Sequence, residues 1–289
     1  MAVEFEFHTP STLIEALTWL SADAGLSPLA GGTNMVVDMR CARHFPQGVV
    51  NINHLADLKG IHQEDNYFVL GSTITITELL QDGLVKQYAP ALQQAAAVFA
   101  NPLIRNRATL GGNLVDASPA ADMAPPLLIL NADVELLSQS GSRLIPLKEF
   151  FIGVRKTILQ PGELLFSVRF PILKGASAFQ KIGLRKADAI SIVSAAVYLE
   201  CNSKNICQEL RIALGSVAPR PFRAEEAENY LKGNLMTPKN IHLTAKLAAK
   251  ATTPINDVRS SAEYRQRMTE VIVRRLINKL VTQTLIEDY

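Results

Sequence analysis

Hydrophobic and polar positions in the first fifty residues predict a strand, a helix and two further strands. Residues 3–7 alternate apolar and polar side chains, which is the period of a half-buried strand. Thr12 and neighbouring hydroxyl residues precede apolar positions at helical spacing, so a capped helix is expected there. Strands follow at 27–30 and 48–52, and the first of them runs directly into Gly31-Gly32. This order of elements indicates a small βαβ unit.

The middle of the chain shows the hydrophobic periodicity of strands in some segments and that of helices in others. Its strand patterns lie at 67–72, 132–137 and 164–170, its helical patterns at 91–99 and 122–130, and its turn signals at Gly141-Ser142 and Pro161-Gly162. This region is therefore predicted to combine a sheet with helices.

The last third changes character. Apolar-rich runs at 176–184, 191–200 and 207–214 are separated by polar turns, which indicates a meander of three antiparallel strands. Beyond Pro221 the pattern is helical to the end. The chain is predicted to be an α+β protein, with a domain boundary near residues 173–175.

Composition excludes several classes of protein. The 289 residues carry 29 basic and 27 acidic side chains, a formal net charge of +2, so nothing indicates binding to nucleic acid. No apolar run approaches eighteen residues and the N-terminus is acidic, so neither a membrane span nor a signal peptide is expected. Cys41, Cys201 and Cys207 are scattered, as in proteins of a reducing compartment. A cytoplasmic location is predicted.

A glycine pair follows the second predicted strand, within Leu29-Ala30-Gly31-Gly32-Thr33-Asn34. Adjacent glycines let the backbone turn tightly and bring its N–H groups close to a ligand. Successive N–H groups in one concavity favour a phosphate or diphosphate, and Thr33 and Asn34 add polar side chains. An ordinary strand-to-helix turn with a capping residue explains the same pattern.

A second glycine pair lies in Thr109-Leu110-Gly111-Gly112-Asn113, with Asp122 downstream. Asp122 is either the N-cap of the next helix or a carboxylate that accepts hydrogen bonds from ribose hydroxyls. Two loops of this kind in one chain indicate a dinucleotide held from two sides. Spacing does not fix its identity, because the Rossmann fingerprint and the P-loop motif are both missing.

Three cations, Lys181, Arg185 and Lys186, lie within six residues at the end of a predicted strand. They form either a solvated hairpin tip or a cationic group near a cofactor, where Lys181 or Arg185 would stabilise negative charge. The histidines match no metal-binding motif, and a nucleophile elbow and an iron–sulfur cysteine run are also missing. Redox chemistry in this chain would therefore need an organic cofactor.

The chain resembles the flavin-binding medium subunit of the molybdenum hydroxylases, the family of bacterial xanthine dehydrogenase and CO dehydrogenase. The resemblance rests on Ala30-Gly31-Gly32-Thr33-Asn34, on Ile104-Arg105-Asn106-Arg107-Ala108-Thr109-Leu110-Gly111-Gly112-Asn113 and on Ala117-Ser118-Pro119-Ala120-Ala121-Asp122. It implies the vanillyl-alcohol-oxidase-type (PCMH-type) FAD-binding fold. Two α/β FAD subdomains would occupy residues 1–57 and 58–173, and a C-terminal domain of three antiparallel strands and helices would occupy residues 174–289.

The resemblance also implies which residues contact FAD. The diphosphate side would be formed by Pro28, Leu29, Ala30, Gly31, Gly32, Thr33, Asn34 and Met35. The second FAD-binding loop would be formed by Thr109, Leu110, Gly111, Gly112 and Asn113. Asp122 would meet the ribose, Leu165 the adenine side, Phe99 the isoalloxazine, and Lys181 the flavin or its approach. Lys181 and Arg185 are candidates for stabilising reduced flavin or orienting the acceptor, and no metal ligand is expected.

This sequence departs from the family at two points. Asn34 stands where the family often has Asp, which removes a charge but keeps a hydrogen-bond acceptor, so binding is expected to persist. The relatives of the benzoyl-CoA type carry an inserted four-cysteine loop for an iron–sulfur cluster. Only Cys41 lies in the first two hundred residues here, so that branch is excluded.

By resemblance, the chain is the FAD subunit of a heterotrimer. A large molybdopterin subunit would hydroxylate a purine, another heterocycle or an aldehyde. Electrons would pass through a small [2Fe–2S] subunit to this FAD, and then to NAD+ or another acceptor. Two alternatives stay open: a self-sufficient flavin-dependent oxidoreductase of the same fold, and a cofactor-free assembly protein.

Overall fold

A computed structural model describes residues 5–43, 45–185 and 187–287. The beginning of the strand predicted at 3–7, and Lys186 among the predicted cations, lie outside the described residues. In the described part of the chain, no helix combines the length and apolar character that a membrane crossing requires.

The N-terminal region is a three-stranded parallel sheet in which β3 lies between β1 and β2. Its elements are β1 (Glu6–His8), α1 (Leu13–Ala22), β2 (Leu26–Leu29), α2 (Met35–Arg40) and β3 (Gly48–Asn51). The helix cap predicted at Thr12 is present, since its hydroxyl accepts a hydrogen bond from the Glu15 N–H. Leu17 and Leu20 of α1 pack against Val50 in a small hydrophobic core.

The middle region is built on a five-stranded antiparallel sheet in the order β4-β5-β10-β6-β7, beside a separate hairpin of β8 and β9. Its elements are β4 (Ile61–Glu64), β5 (Tyr67–Gly71), α3 (Ile76–Gln81), α4 (Gly83–Tyr88), α5 (Pro90–Val98), α6 (Pro102–Arg105), α7 (Leu110–Val115), α8 (Ala124–Ile129), β6 (Asp133–Ser138), β7 (Gly141–Pro146), α9 (Leu147–Phe150), β8 (Phe151–Gly153), β9 (Lys156–Thr157) and β10 (Leu164–Pro171). Helices α5, α7 and α8 share the largest hydrophobic core with this sheet.

The C-terminal region is an antiparallel meander covered by helices. Its elements are β11 (Ala176–Ile182), β12 (Val193–Cys201), β13 (Cys207–Gly215), β14 (Phe222–Arg223), α10 (Glu225–Leu231), α11 (Pro238–Lys250) and α12 (Ala262–Glu287). The sheet therefore has four strands rather than the predicted three. Strand β14 pairs with Ala213 and Leu214, and its two residues are too few to show an alternating pattern.

The mixture of sheets and helices confirms the α+β class. The division at residues 57 and 173 stays a prediction.

The cysteines differ sharply in their surroundings. Cys41 is exposed just after α2, whereas Cys201 and Cys207 lie opposite each other in the register of β12 and β13. Burial raises the pKa of the Cys201 thiol to about 11 and that of the Cys207 thiol to about 12.

Candidate functional site

A cavity of about 440 Å³ lies between the two glycine loops. This volume falls within the usual range for small-molecule sites, about 300 to 1,000 Å³. The predicted cofactor residues in its wall are Pro28, Leu29, Ala30, Gly31, Gly32, Thr33, Asn34, Met35, Phe99, Thr109, Gly111, Gly112, Asn113 and Leu165. Leu110, Asp122 and Lys181 are not in the wall. The two loops, 80 residues apart in sequence, thus form one site.

The first loop approaches the segment before the second loop so closely that only glycine fits. A Cβ at Gly31 would lie 1.9 Å from the carbonyl oxygen of Arg107, which is backbone and cannot swing aside. The next residue, Gly32, has a φ of +72°, in the left-handed region that favours glycine. The first glycine pair is therefore required by close approach and by backbone conformation together.

The second loop is fixed to the end of β5. The Gly111 N–H donates to the carbonyl oxygen of Ser72 at 2.8 Å, and a Cβ at Gly111 would lie 2.8 Å from the same oxygen. Thr109 caps α7, because its hydroxyl accepts from the Gly112 N–H at 3.0 Å. Leu110 points into the hydrophobic core, which explains why its side chain does not reach the cavity.

Ser72 is a cavity residue that the sequence interpretation missed. It lines the wall, it is 3% exposed, and its hydroxyl has no hydrogen-bond partner within the described chain. A buried hydroxyl is normally hydrogen-bonded, so a polar group of a ligand in the cavity would satisfy it. The sequence feature that could have identified Ser72 is its position at the end of the predicted strand that forms β5.

Charged residues at the cavity wall were also missed. They are Asp38, Arg43, Asp116, Arg155 and Glu163. Arg143 donates two hydrogen bonds, at 2.7 and 2.8 Å, to the carboxylate of Glu163 and holds the pKa of that carboxyl below its usual range. Among the described residues, the wall has three carboxylates against two guanidinium groups and thus no excess of cations. A diphosphate would therefore depend on backbone N–H groups, hydroxyls and amides.

Asp122 lies behind the site rather than on its surface. Its carboxylate accepts from Lys181 Nζ at 2.6 Å and from the Ser191 hydroxyl at 2.5 Å. Burial raises the pKa of Asp122, while the Lys181 ammonium and the Ser191 hydroxyl act to lower it. The N-cap interpretation is wrong, because Met123 occupies the N-cap position of α8. Contact with a ribose stays a prediction, and the structure gives this carboxylate protein partners.

Lys181 and Arg185 line a second cavity, of about 410 Å³, beside Val98 at the end of α5. Lys181 lies on β11, nearly buried, and also donates to the carbonyl oxygen of Ala189. Arg185 is exposed in the loop after β11 and donates to the carbonyl oxygen of Asp188. Of these two cations, only Arg185 presents its charge to solvent.

The wall of the main cavity fits a dinucleotide such as FAD. It has two glycine loops at close approach, an unpartnered buried hydroxyl at Ser72, and the half-buried aromatic ring of Phe99. These features supply hydrogen bonds for phosphates and hydroxyls and an apolar surface for a ring system. Fold and site together are those of a dinucleotide-binding protein.

Comparison with known proteins agrees with this assignment. Residues 3–173 match the family described as the FAD binding domain in molybdopterin dehydrogenase, and residues 177–280 match the CO dehydrogenase flavoprotein C-terminal domain. The chain belongs to the FAD-binding medium subunits of the xanthine dehydrogenase and CO dehydrogenase family.

Individual relatives are similar over almost their whole length. The xanthine dehydrogenase FAD-binding subunit of Escherichia coli O157:H7 is 31% identical over 279 residues, 95% of each chain. The carbon monoxide dehydrogenase medium chain of Hydrogenophaga pseudoflava is 30% identical over 279 residues, 95% of this chain and 96% of that one. The structure of quinoline 2-oxidoreductase from Pseudomonas putida 86 superposes with a TM-score of 0.92 at 28% identity, covering 97% of this chain and 98% of that chain.

Proposed function

We propose that the chain is the electron-transfer flavoprotein subunit of a molybdenum hydroxylase and holds FAD in the cavity between its glycine loops. Electrons enter from the [2Fe–2S] clusters of a small partner subunit, which receives them from a large molybdopterin-binding subunit. They leave to NAD+ or another acceptor. Bound FAD supplies the redox chemistry, and the protein supplies binding and orientation.

The observation that carries this proposal is the joint enclosure of one cavity by both glycine loops. Gly31 lets the first loop lie against the backbone of Arg107, and the Gly111 hydrogen bond to Ser72 fixes the second. N–H groups and hydroxyls held this rigidly bind phosphate oxygens without reorganising. The Ser72 hydroxyl is one such donor, already dehydrated.

The features of this chain do not determine the substrate of the complex. Relatives at similar identity are named for xanthine, carbon monoxide and nicotinate, although they share this flavoprotein fold. A purine, another heterocycle or an aldehyde is the substrate class we propose, and hydroxylation would take place on the large subunit.

The first test is a visible absorption spectrum of the complex purified from its native host, with subunits resolved on a gel. Flavin and iron–sulfur absorption with two additional polypeptides supports the proposal. Flavin bands on a single polypeptide favour a self-sufficient flavoenzyme. A colourless protein that takes up no added FAD would favour the cofactor-free assembly protein.

Arg185 is the better of the two cations for testing a role with the acceptor. Removing Lys181 would leave the buried carboxylate of Asp122 without its cation, which confounds the result. Arg185→Ala removes an exposed charge and is expected to lower NADH production by the complex about fivefold, mainly through a higher KM for NAD+.

FAD content should be unchanged in Arg185→Ala, and the exposed Lys246→Ala on α11 serves as control. An unchanged KM in Arg185→Ala removes this residue from acceptor binding. Loss of flavin instead would reassign it to cofactor binding.

A further inference from the structure

One guanidinium joins the two glycine loops through the segments that follow them. Arg155 Nη2 donates to Asp38 Oδ2 at 2.9 Å and to Asp116 Oδ1 at 2.8 Å. Asp38 lies on α2, directly after the first loop, and Asp116 ends α7, directly after the second. Arg155 itself lies in the turn between β8 and β9. We name these three residues the clasp.

Two members of the clasp, Arg155 and Asp38, are oriented by further contacts. The Arg155 N–H donates to the carbonyl oxygen of Ala117 at 3.0 Å, which ties its turn to the end of α7. Arg43 Nη1 holds the other oxygen of Asp38 at 3.1 Å. The hydrogen bond to Asp116 raises the pKa of Arg155, as expected for a guanidinium held by carboxylates.

The clasp connects the two sides of the cavity through α2, a helix with little hydrophobic support. Its three members all line the cavity wall, but none of the residues of α2 is buried. Hydrophobic packing reaches the first loop through the partly buried Ala30, and the Gly31 contact and the clasp add to its support. The two carboxylates are only 14% and 16% exposed, whereas the Arg155 side chain is 46% exposed, so solvent and salt still reach these pairs from the side of the guanidinium.

We propose that the clasp fastens the two glycine loops together and slows the release of FAD, with Arg155 as a positioning residue. This inference rests on the proposed location of FAD in this cavity. Release requires the loops to separate, and separation breaks at least one of the two hydrogen bonds of Arg155. Because the clasp is ionic, its contribution to FAD retention weakens as salt concentration rises.

The test is the rate of FAD release from the full chain, followed by the increase in flavin fluorescence after dilution. Arg155→Ala is expected to release FAD about tenfold faster, the effect of losing two partly shielded ion pairs. Release from the wild-type chain should accelerate between about 0.05 and 0.5 M NaCl, whereas release from Arg155→Ala should be nearly independent of salt.

Three further variants separate the loss of the clasp from a general loss of structure. Lys232→Ala breaks an ion pair of similar length, 2.7 Å to Glu209, in the C-terminal region and should leave FAD release unchanged. Arg155→Lys keeps the charge, but its shorter side chain moves the donor nitrogen away from the position of Nη2 between the two carboxylates, so its rate should be intermediate. If Arg155→Ala does not fold, Asp116→Asn removes one of the two pairs and should give a smaller acceleration with a reduced salt dependence.

The outcomes distinguish this inference from the proposed function. A wild-type chain that takes up no FAD overturns the proposed function and the clasp with it. A wild-type chain that binds FAD, with equal release rates and equal salt dependence in Arg155→Ala, overturns the clasp and leaves the site standing.

Discussion

The two glycine loops look alike in sequence, but they lie in very different surroundings. The second loop starts α7, whose Leu110 and Leu114 are fully buried in the largest hydrophobic core. The first loop starts α2, a helix of the same length with no buried residue and with Val36 and Val37 exposed. One wall of the cavity is thus part of the core, and the other is supported mainly by the close contact of Gly31 with Arg107 and by the ion pairs of Arg155.

Because of this difference, the two loops of one site are expected to contribute differently to protein stability and to cofactor binding. A change in the second loop should affect both the stability of the protein and its cofactor site, because the two share the same packing. A change in the first loop should affect binding while most of the core stays intact. Paired substitutions in the two loops test this distinction directly.

The largest expected effect comes from the hydrophobic faces of the two helices. Leu114→Ala leaves a cavity under α7 and should lower the free energy of unfolding by about 3 kcal/mol. Val37→Ala, at an exposed position of α2, should change it by less than about 0.5 kcal/mol. Urea denaturation of the full chain measures both. A loss above about 1 kcal/mol in Val37→Ala would show that hydrophobic packing supports α2.

The glycines provide the next test. Gly111→Ala forces a Cβ against Ser72 inside the core and should lower the free energy of unfolding by about 2 kcal/mol. Gly31→Ala should push the half-buried first loop away from Arg107, which lowers FAD affinity about 100-fold and changes the unfolding free energy by less than about 1 kcal/mol.

Gly83→Ala is the matched control for both glycine substitutions. A Cβ at Gly83 meets no described atom within 4 Å, so neither FAD affinity nor stability should fall. The separation of roles fails if Gly31→Ala unfolds the chain as strongly as Gly111→Ala does. FAD titration by fluorescence quenching and urea denaturation give the two quantities.

The smallest expected effect concerns the helix caps. Thr109 accepts a hydrogen bond from the Gly112 N–H, so Thr109→Ala should cost about 1 kcal/mol of unfolding free energy. Asn34 occupies the same position before α2 but its side chain makes no capping hydrogen bond, so Asn34→Ala should cost less than about 0.5 kcal/mol. Apoprotein is used in both measurements, because both residues line the cavity. Equal costs would contradict the assigned capping difference.

Much of the fold could be predicted because its longer elements have regular patterns. The strands of the C-terminal meander and α1 lie within a few residues of their predicted positions. Short helices such as α3 and α6 have too few turns to show a period, and they were missed. The hairpin turn also lies earlier than predicted, since Gly141 already pairs with Ser138 as part of β7.

The glycine loops of the site could be predicted because adjacent glycines are a local signal. Their charged neighbours could not, because Arg155 and Asp38 are 117 residues apart and meet only after the hairpin of β8 and β9 has folded against both loops. Ser72 is a similar case. Its missing partner becomes visible only when burial is known.

Of the three cysteines, only Cys41 is exposed, and it lies at the edge of the cavity, where a thiol-directed label can reach it. Cys41 lies between Asp38 and Arg43, which both line the cavity, while the pKa values of about 11 and about 12 keep Cys201 and Cys207 protonated at neutral pH. A thiol-directed spin label or fluorophore will therefore attach preferentially next to α2. The native sequence thus provides a reporter on the weakly supported wall of the cavity, without any engineered cysteine.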